Sequence, residues 1–254
     1  MNTLTPEVAT QFVNTLELPP ADLKADLVGA TPIDFDQHKN QTLIVASDVL
    51  SFVKGVSVER RKDIVNASLL AQLAATKKVP SKENFPEWYD AYFDVLEHIG
   101  WVIHDKGFSS YEHEADDLET DEAILQVAQG FFVPGSTAIT MITSALKALK
   151  KSKDEPWITL WERESKEAEG ARFQVSLAEQ EEDGQFLITL MAFKLKATSK
   201  ITRILVFKIR EDGVKLEKWD GKITINEDVV ASIRDKVKEK IAVYIDKYLA
   251  ALPV

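Results

Sequence analysis

Apolar positions recur at helical spacing through the first 150 residues and alternate after that. Thr5-Pro6-Glu7 sets a capping hydroxyl before a proline at the first helical position. Val8, Phe12, Val13 and Leu16 form the apolar face, and Pro19-Pro20 ends the helix. A short helix over 21–28 closes at Gly29, and 31–35 reads as a loop. Leu43, Ala46, Leu50 and Val53 predict a helix stopping at Gly55, although Leu43-Ile44-Val45 also fits a strand. Ser57 caps a longer helix carrying Ile64, Val65, Leu69, Leu70 and Leu73, which ends at Lys77-Lys78. The next runs from Asn84-Phe85-Pro86-Glu87 to His104. It bears one stripe of Phe85, Tyr89, Tyr92, Phe93, Leu96, Ile99 and Ile103, and a second of Trp88, Val95 and Val102, seven residues apart. A helix apolar on two faces is central to its domain or shared with a partner.

The segment 123–146 holds no charged residue across 24 positions, in a chain where 28% of residues are charged. Pro134-Gly135 breaks it, so the pattern predicts a helical hairpin. Ile124, Leu125, Ala128, Phe131 and Phe132 form the first stripe; Ile139, Ile142, Leu146 and Leu149 form the second. Thr120 is the expected cap of the first arm and Ser136 of the second. Asp121 and Glu122 at the start, and Lys147, Lys150 and Lys151 at the end, suit the partial charges of helix termini. A run of this kind is normally core. The competing reading is a conditional membrane hairpin with Phe131, Phe132, Ile139 and Ile142 as the inserting residues. Each arm is shorter than the ~20 residues a spanning helix needs.

Beyond the composition shift at 147–156, Trp157 to Glu164 reads as a strand, with Trp157 and Trp161 on one face. Phe173, Val175 and Leu177 alternate with polar residues, and 186–195 and 201–209 are apolar on both phases. Asp183-Gly184, Asp212-Gly213 and Asp220-Gly221 punctuate these runs as hairpin turns. An antiparallel meander over 157–225 follows, with shorter strands at 214–219 and 223–225. A long helix over 227–252 carries Val230, Ile233, Val237, Ile241, Tyr244, Tyr248 and Leu252 on one side, and is expected to cover the sheet. The fold class is therefore α+β: an N-terminal multi-helix region, then a C-terminal antiparallel β-meander packed against a long C-terminal helix. The expected domains are 1–152, containing the hairpin, and 153–254.

Composition narrows the chemistry. The chain has no cysteine, which excludes disulfides, thiolate metal sites and thiol nucleophiles. A net charge of −10 argues against a nucleic-acid partner. The N-terminus MNTLTPEVATQ lacks the basic start and apolar core of a secretory signal, so a soluble, acidic, cytoplasmic protein is expected, with export without a cleaved signal as the other route. Phosphate-loop and nucleophile-elbow motifs are absent. Asp34, Asp36 and His38 fall at alternate positions that suit a metal, but without the glycine and distal glutamate of a calcium loop they read first as a solvated turn. His98 and His104 flank the aromatic helix, and Glu112-His113-Glu114 reads as a charged run.

No catalytic residue and no cofactor is expected, and an enzyme is not favoured. The first expectation is a non-enzymatic interaction or self-assembly protein, with Trp88, Val95, Val102, Trp157 and Trp161 as contact candidates and a protein or a second copy as partner. The alternatives are a membrane-acting toxin or virulence-type protein using the hairpin 119–150, and a carrier enclosing an apolar ligand between the C-terminal sheet and helix.

Overall fold

The computed structural model describes residues 4–21, 33–80, 84–110, 118–152, 155–166, 170–180, 186–196, 203–206 and 215–253. Among them the elements run α1 (Pro6–Thr15), β1 (Gln41–Val45), β2 (Asp48–Phe52), α2 (Val58–Lys78), α3 (Phe85–His98) and β3 (Trp101–Ser110). There follow α4 (Thr120–Gln129), α5 (Thr137–Lys151), α6 (Pro156–Ser165), β4 (Gly170–Gln180) and β5 (Phe186–Lys196). A single 3-10 turn at Ile204–Val206 precedes β6 (Lys215–Ile225), α7 (Glu227–Ile241), α8 (Ile245–Tyr248) and β7 (Leu249–Leu252). The seven strands form one sheet in the order β3-β6-β5-β4-β2-β1-β7. Neighbours are antiparallel except β2 and β4, which run parallel.

The sheet has two apolar faces because its central strands are buried on both. Side chains alternate across a strand. On β5, Ile188, Leu190 and Ala192 join the core beneath α1, α2, α3 and α7. Met191, Phe193 and Leu195 join the core beneath α4, α5 and α6. Sequence caps set the helices that cover each face. Thr5 Oγ1 accepts the Val8 amide, Ser57 Oγ that of Arg60 and Ser136 Oγ that of Ile139. A bidentate pair from Arg234 Nε and Nη2 to the Asp63 carboxylate, at 2.7 and 2.8 Å, ties α7 to α2.

The α+β class and the antiparallel meander are present, with β4, β5 and β6 as successive antiparallel neighbours. Several details differ from the sequence pattern. The 43–53 run is the hairpin β1–β2, turned at Ala46, whose φ is 52°. Gly100, at φ +91°, stops α3, so the expected single helix to His104 becomes a helix and the edge strand β3. The Trp157 to Glu164 segment is the helix α6, not a strand: Pro156 starts it, and Trp157, Leu160 and Trp161 all face the sheet. Asp220-Gly221 makes no turn. β6 runs straight through it, pairing Asp220 with Met191 and Gly221 with Leu190. Glu119, not Thr120, caps α4. The last helix covers the sheet as expected, beside α1 and α2, but breaks after Ile241 and gives way to β7, which pairs with β1. The Asp-Gly pairs at 183–184 and 212–213, all but Ala21 of the helix expected over 21–28, and the charged run Glu112-His113-Glu114 lie outside the described residues; of the strand expected over 201–209 only 203–206 is described, and there Ile204–Val206 form the 3-10 turn. Backbone pairing crosses the expected boundary at 152, since β2 joins β4 and β3 joins β6.

Candidate functional site

The α4–α5 hairpin is built as the charge-free pattern dictates. The Glu119 amide donates to Glu122 Oε2 at 3.1 Å, closing a capping box at the start of α4. Gly135, at φ +78°, turns the chain into α5. At the base Lys150 Nζ bonds both Asp121 oxygens at 3.0 Å and also reaches Glu119, so the hairpin's charges are gathered at one end. Desolvation works against the ammonium there, and the bonds to Glu119 and Asp121 outweigh it, holding the Lys150 pKa above its ordinary value.

The inner face packs on the sheet. Ile124, Ala128, Ile142, Ala145, Leu146 and Leu149 share a core with Phe173, Val175, Leu177, Met191, Phe193 and Leu195, closed at one side by Trp157 and Trp161 of α6. The outer face carries Leu125, Gln126, Gln129, Ile139, Thr140, Thr143 and Ser144, and no charge from 123 to 146. The tip exposes Val133 at 75%. Two of the outward hydroxyls are already satisfied within their own helix: Thr140 Oγ1 donates to Ser136 O at 3.0 Å and Thr143 Oγ1 to Ile139 O at 2.7 Å. They therefore need no water.

The candidates drawn from the sequence separate cleanly. Phe131 and Ile139 are half-buried at the tip and outer edge, whereas Phe132 and Ile142 are buried against the core. Trp88, Val95, Trp157 and Trp161 are core residues, because α3 and α6 each lie on a sheet face; of the five contact candidates only Val102, 44% exposed on β3, reaches the surface. The structure does not bring Asp34, Asp36 and His38 together as ligands. Asp36 Oδ1 accepts the His38 amide at 2.8 Å and Oδ2 meets Lys39 at 3.3 Å, while the Asp34 carbonyl takes Gln41 Nε2 at 2.7 Å. That amide bond holds the Asp36 carboxyl below its ordinary pKa. The three residues shape an exposed turn. His98 stacks on Phe12, with ring centroids 4.5 Å apart, and His104 Nε2 meets Thr224 Oγ1 at 2.8 Å. Among the described residues no group of three or more His, Asp or Glu is placed to hold a metal ion.

Several buried polar residues escaped the sequence pattern, among them Arg61 beneath the β2–α2 corner and Asp48 on the inner sheet face. Asp48 sits inside an apolar run and Arg61 inside the charged run 59–63, which reads as a solvated helix face, so neither shows its burial by periodicity. The void beside α7, lined by Ile99, Trp101, Val230 and Ile233, measures about 20 Å³, room for one water. A larger open groove of about 770 Å³ lies between α2 and α7–α8, with acids and bases interspersed along its walls.

No protein-family model matches the chain, and no curated protein sequence matches it. Solved structures resemble it in outline. A delta-endotoxin aligns over 78% of this chain and 92% of its own, at 16% identity and a TM-score of 0.46. The activated Cyt2Ba monomer from Bacillus thuringiensis subsp. israelensis aligns over 72% and 99%, at 14% identity and a TM-score of 0.45. The Evf virulence factor aligns over 82% and 85%, at 10% identity and a TM-score of 0.37. At these scores the likeness stops short of carrying an activity across.

Proposed function

We propose that this is a membrane-acting protein of the toxin or virulence type, and that the α4–α5 hairpin is the element that meets the lipid. The observation that supports it is the uncharged outer face. A helix on a soluble surface normally turns charge to water, where roughly 25–35% of residues are charged. This hairpin buries one apolar face and presents the other without a single ionised group from 123 to 146, ending in an exposed valine. Thr140 and Thr143 bond their own backbone, which removes the cost those hydroxyls would meet in hydrocarbon.

The contact is interfacial. α4 has 10 residues and α5 has 15. At 1.5 Å per residue they reach about 15 and 22 Å, short of the ~30 Å hydrocarbon core. No helix of the described residues is long and apolar enough to cross a membrane. Lys147 and Lys151 stand exposed at the base, where they favour anionic headgroups.

Flotation with vesicles of phosphatidylcholine, with and without phosphatidylserine, at pH 5 and pH 7 tests the reading, together with release of a trapped dye. Wild type is expected to float with the anionic vesicles. Val133→Glu, at an exposed position the fold does not use, is expected to bind about tenfold more weakly, given the ~2.5–3.5 kcal/mol cost of a charge at full membrane depth and less at the interface. Neither binding nor leakage at either pH defeats the proposal. The same uncharged face suits a second copy of the chain, so sedentation equilibrium without lipid belongs beside the vesicle assay: self-association abolished by Val133→Glu supports assembly instead.

A further inference from the structure

Asp48 lies on β2, 1% exposed, on the face of the sheet under α2 and α3. Its Oδ2 accepts hydroxyl hydrogen bonds from Ser68 of α2 at 3.2 Å and Ser176 of β4 at 3.0 Å. Its Oδ1 has no hydrogen-bond partner. The void alongside, walled by Ser68, Tyr92, Trp101 and Ser176, measures about 20 Å³. That space admits one water, which is too little to hydrate a carboxylate.

The groups around it are neutral or distant in role. α2 offers Ser68 and Gln72; the Gln72 amide donates to Val45 O and Ser68 Oγ and accepts from Ser47. α3 offers the phenols Tyr89 and Tyr92, both driven up by burial first and by the Asp48 charge among the further causes. β4 offers Ser176 and, in register with Asp48, Gln174. The buried cations of this layer are engaged elsewhere: Arg172 lies over the Trp88 ring at 3.7 Å and Lys194 over Phe85 at 5.5 Å. β1 contributes only Val45 opposite.

We propose that Asp48 is a proton-operated latch joining α2 to the β2–β4 pair: as the neutral acid it keeps the α2–α3 layer closed on the sheet, and once ionised it draws in water and loosens that layer. The reason is geometric. A carboxylate here has two hydroxyl donors and no cation, and it can be solvated only if α2 lifts. Burial agrees in direction, pushing the Asp48 carboxyl up to about 7 against the opposing pull of Ser176 and Ser68. A raised acid favours the closed state below its open-state value near 3.8, and loses that advantage as pH rises through about 7. The latch does not depend on the membrane reading, and opens toward alkaline rather than acid solution.

Hydrogen exchange, corrected for intrinsic base catalysis, tests it at pH 5 and pH 8. In the wild type, opening of the amides in 61–75 should be about a hundred-fold more populated at pH 8, from the linkage of a group moved from 3.8 to about 7. Asp48→Asn, which keeps the shape and removes the charge, should flatten that dependence and leave the α4–α5 amides unchanged. Equal pH dependence in the two proteins overturns the latch. Should Asp48→Asn fail to fold, carboxyl carbon NMR of the wild type decides: one aspartate titrating near neutrality supports it, and completion of every aspartate titration below pH 5 overturns it.

Discussion

Arg61 is the position where a single substitution should reveal most about how this fold is closed. It is fully buried at the start of α2. Its Nε donates to Val56 O at 2.9 Å, its Nη2 to Lys39 O at 2.8 Å and Val53 O at 3.1 Å, and its Nη1 to Gln41 Oε1. The guanidinium also stands 5.3 Å over the Phe52 ring. One fork thus fastens the β2–α2 corner to the turn before β1. The Lys39 carbonyl belongs to an exposed residue and can rehydrate; those of Val53 and Val56 are half-buried and buried. Losing two charge-assisted bonds at about 1.5 kcal/mol each, and about 1 kcal/mol of ring contact, comes to roughly 4 kcal/mol. Against this stands the desolvation that holds the arginine pKa below its ordinary value, eased by Asp36. Relief of that burial returns about 1 kcal/mol, so Arg61→Met should cost about 3 kcal/mol. Arg61→Lys keeps the charge but not the fork, and should cost as much or more. Urea denaturation followed by tryptophan fluorescence measures both. If Arg61→Lys lies within about 0.5 kcal/mol of wild type, as a plain surface change would, the fork is not what fastens the corner.

Two further substitutions test the rest of the scaffold. Gly100→Ala sets a left-handed backbone against a steric wall, since the new Cβ would lie 2.9 Å from Val229 Cγ1; a loss of about 3 kcal/mol is expected, whereas Gly55→Ala, at φ +103° with open space around it, should lose only the ~1–2 kcal/mol of backbone strain. Equal losses at both glycines in thermal melts count against the packing between β3 and α7. Ile142→Ala, at a fully buried position under the hairpin, should cost about 3 kcal/mol, and a loss below about 1 kcal/mol in the same melts means the hairpin is not seated on the sheet as described.

Local chemistry was legible in the chain at three of the helix starts and at the Pro134-Gly135 break. Thr5, Ser57 and Ser136 announce their helices, and the charge-free stretch announces the hairpin. What the pattern misplaced depended on partners far away in sequence. Ile44, Val45 and Val49 suit a strand as well as a helix, and the outcome was settled by β4 more than 120 residues later, which pairs Val49 with Val175. Trp157 and Trp161 alternate acceptably on a strand, yet they also fall at helical spacing, and Pro156 tips the choice. Asp220-Gly221 has the composition of a turn, but the ladders to β3 and β5 hold it extended. In the candidate site, the helical hairpin itself could be read directly. Asp48 and Arg61 could not: Asp48 is a single charge in an apolar run, and Arg61 stands in the charged run 59–63, which reads as a solvated helix face until tertiary packing encloses it.

The one parallel pair among the described strands has a consequence for biogenesis. Asp48–Phe52 must wait for Gln174–Ala178 to leave the ribosome before β2 gains its neighbour. Until then the first hairpin of the nascent chain offers an open ladder of unpaired amides and carbonyls to any passing strand. Shielding of this edge during translation is therefore expected to favour the yield of native protein.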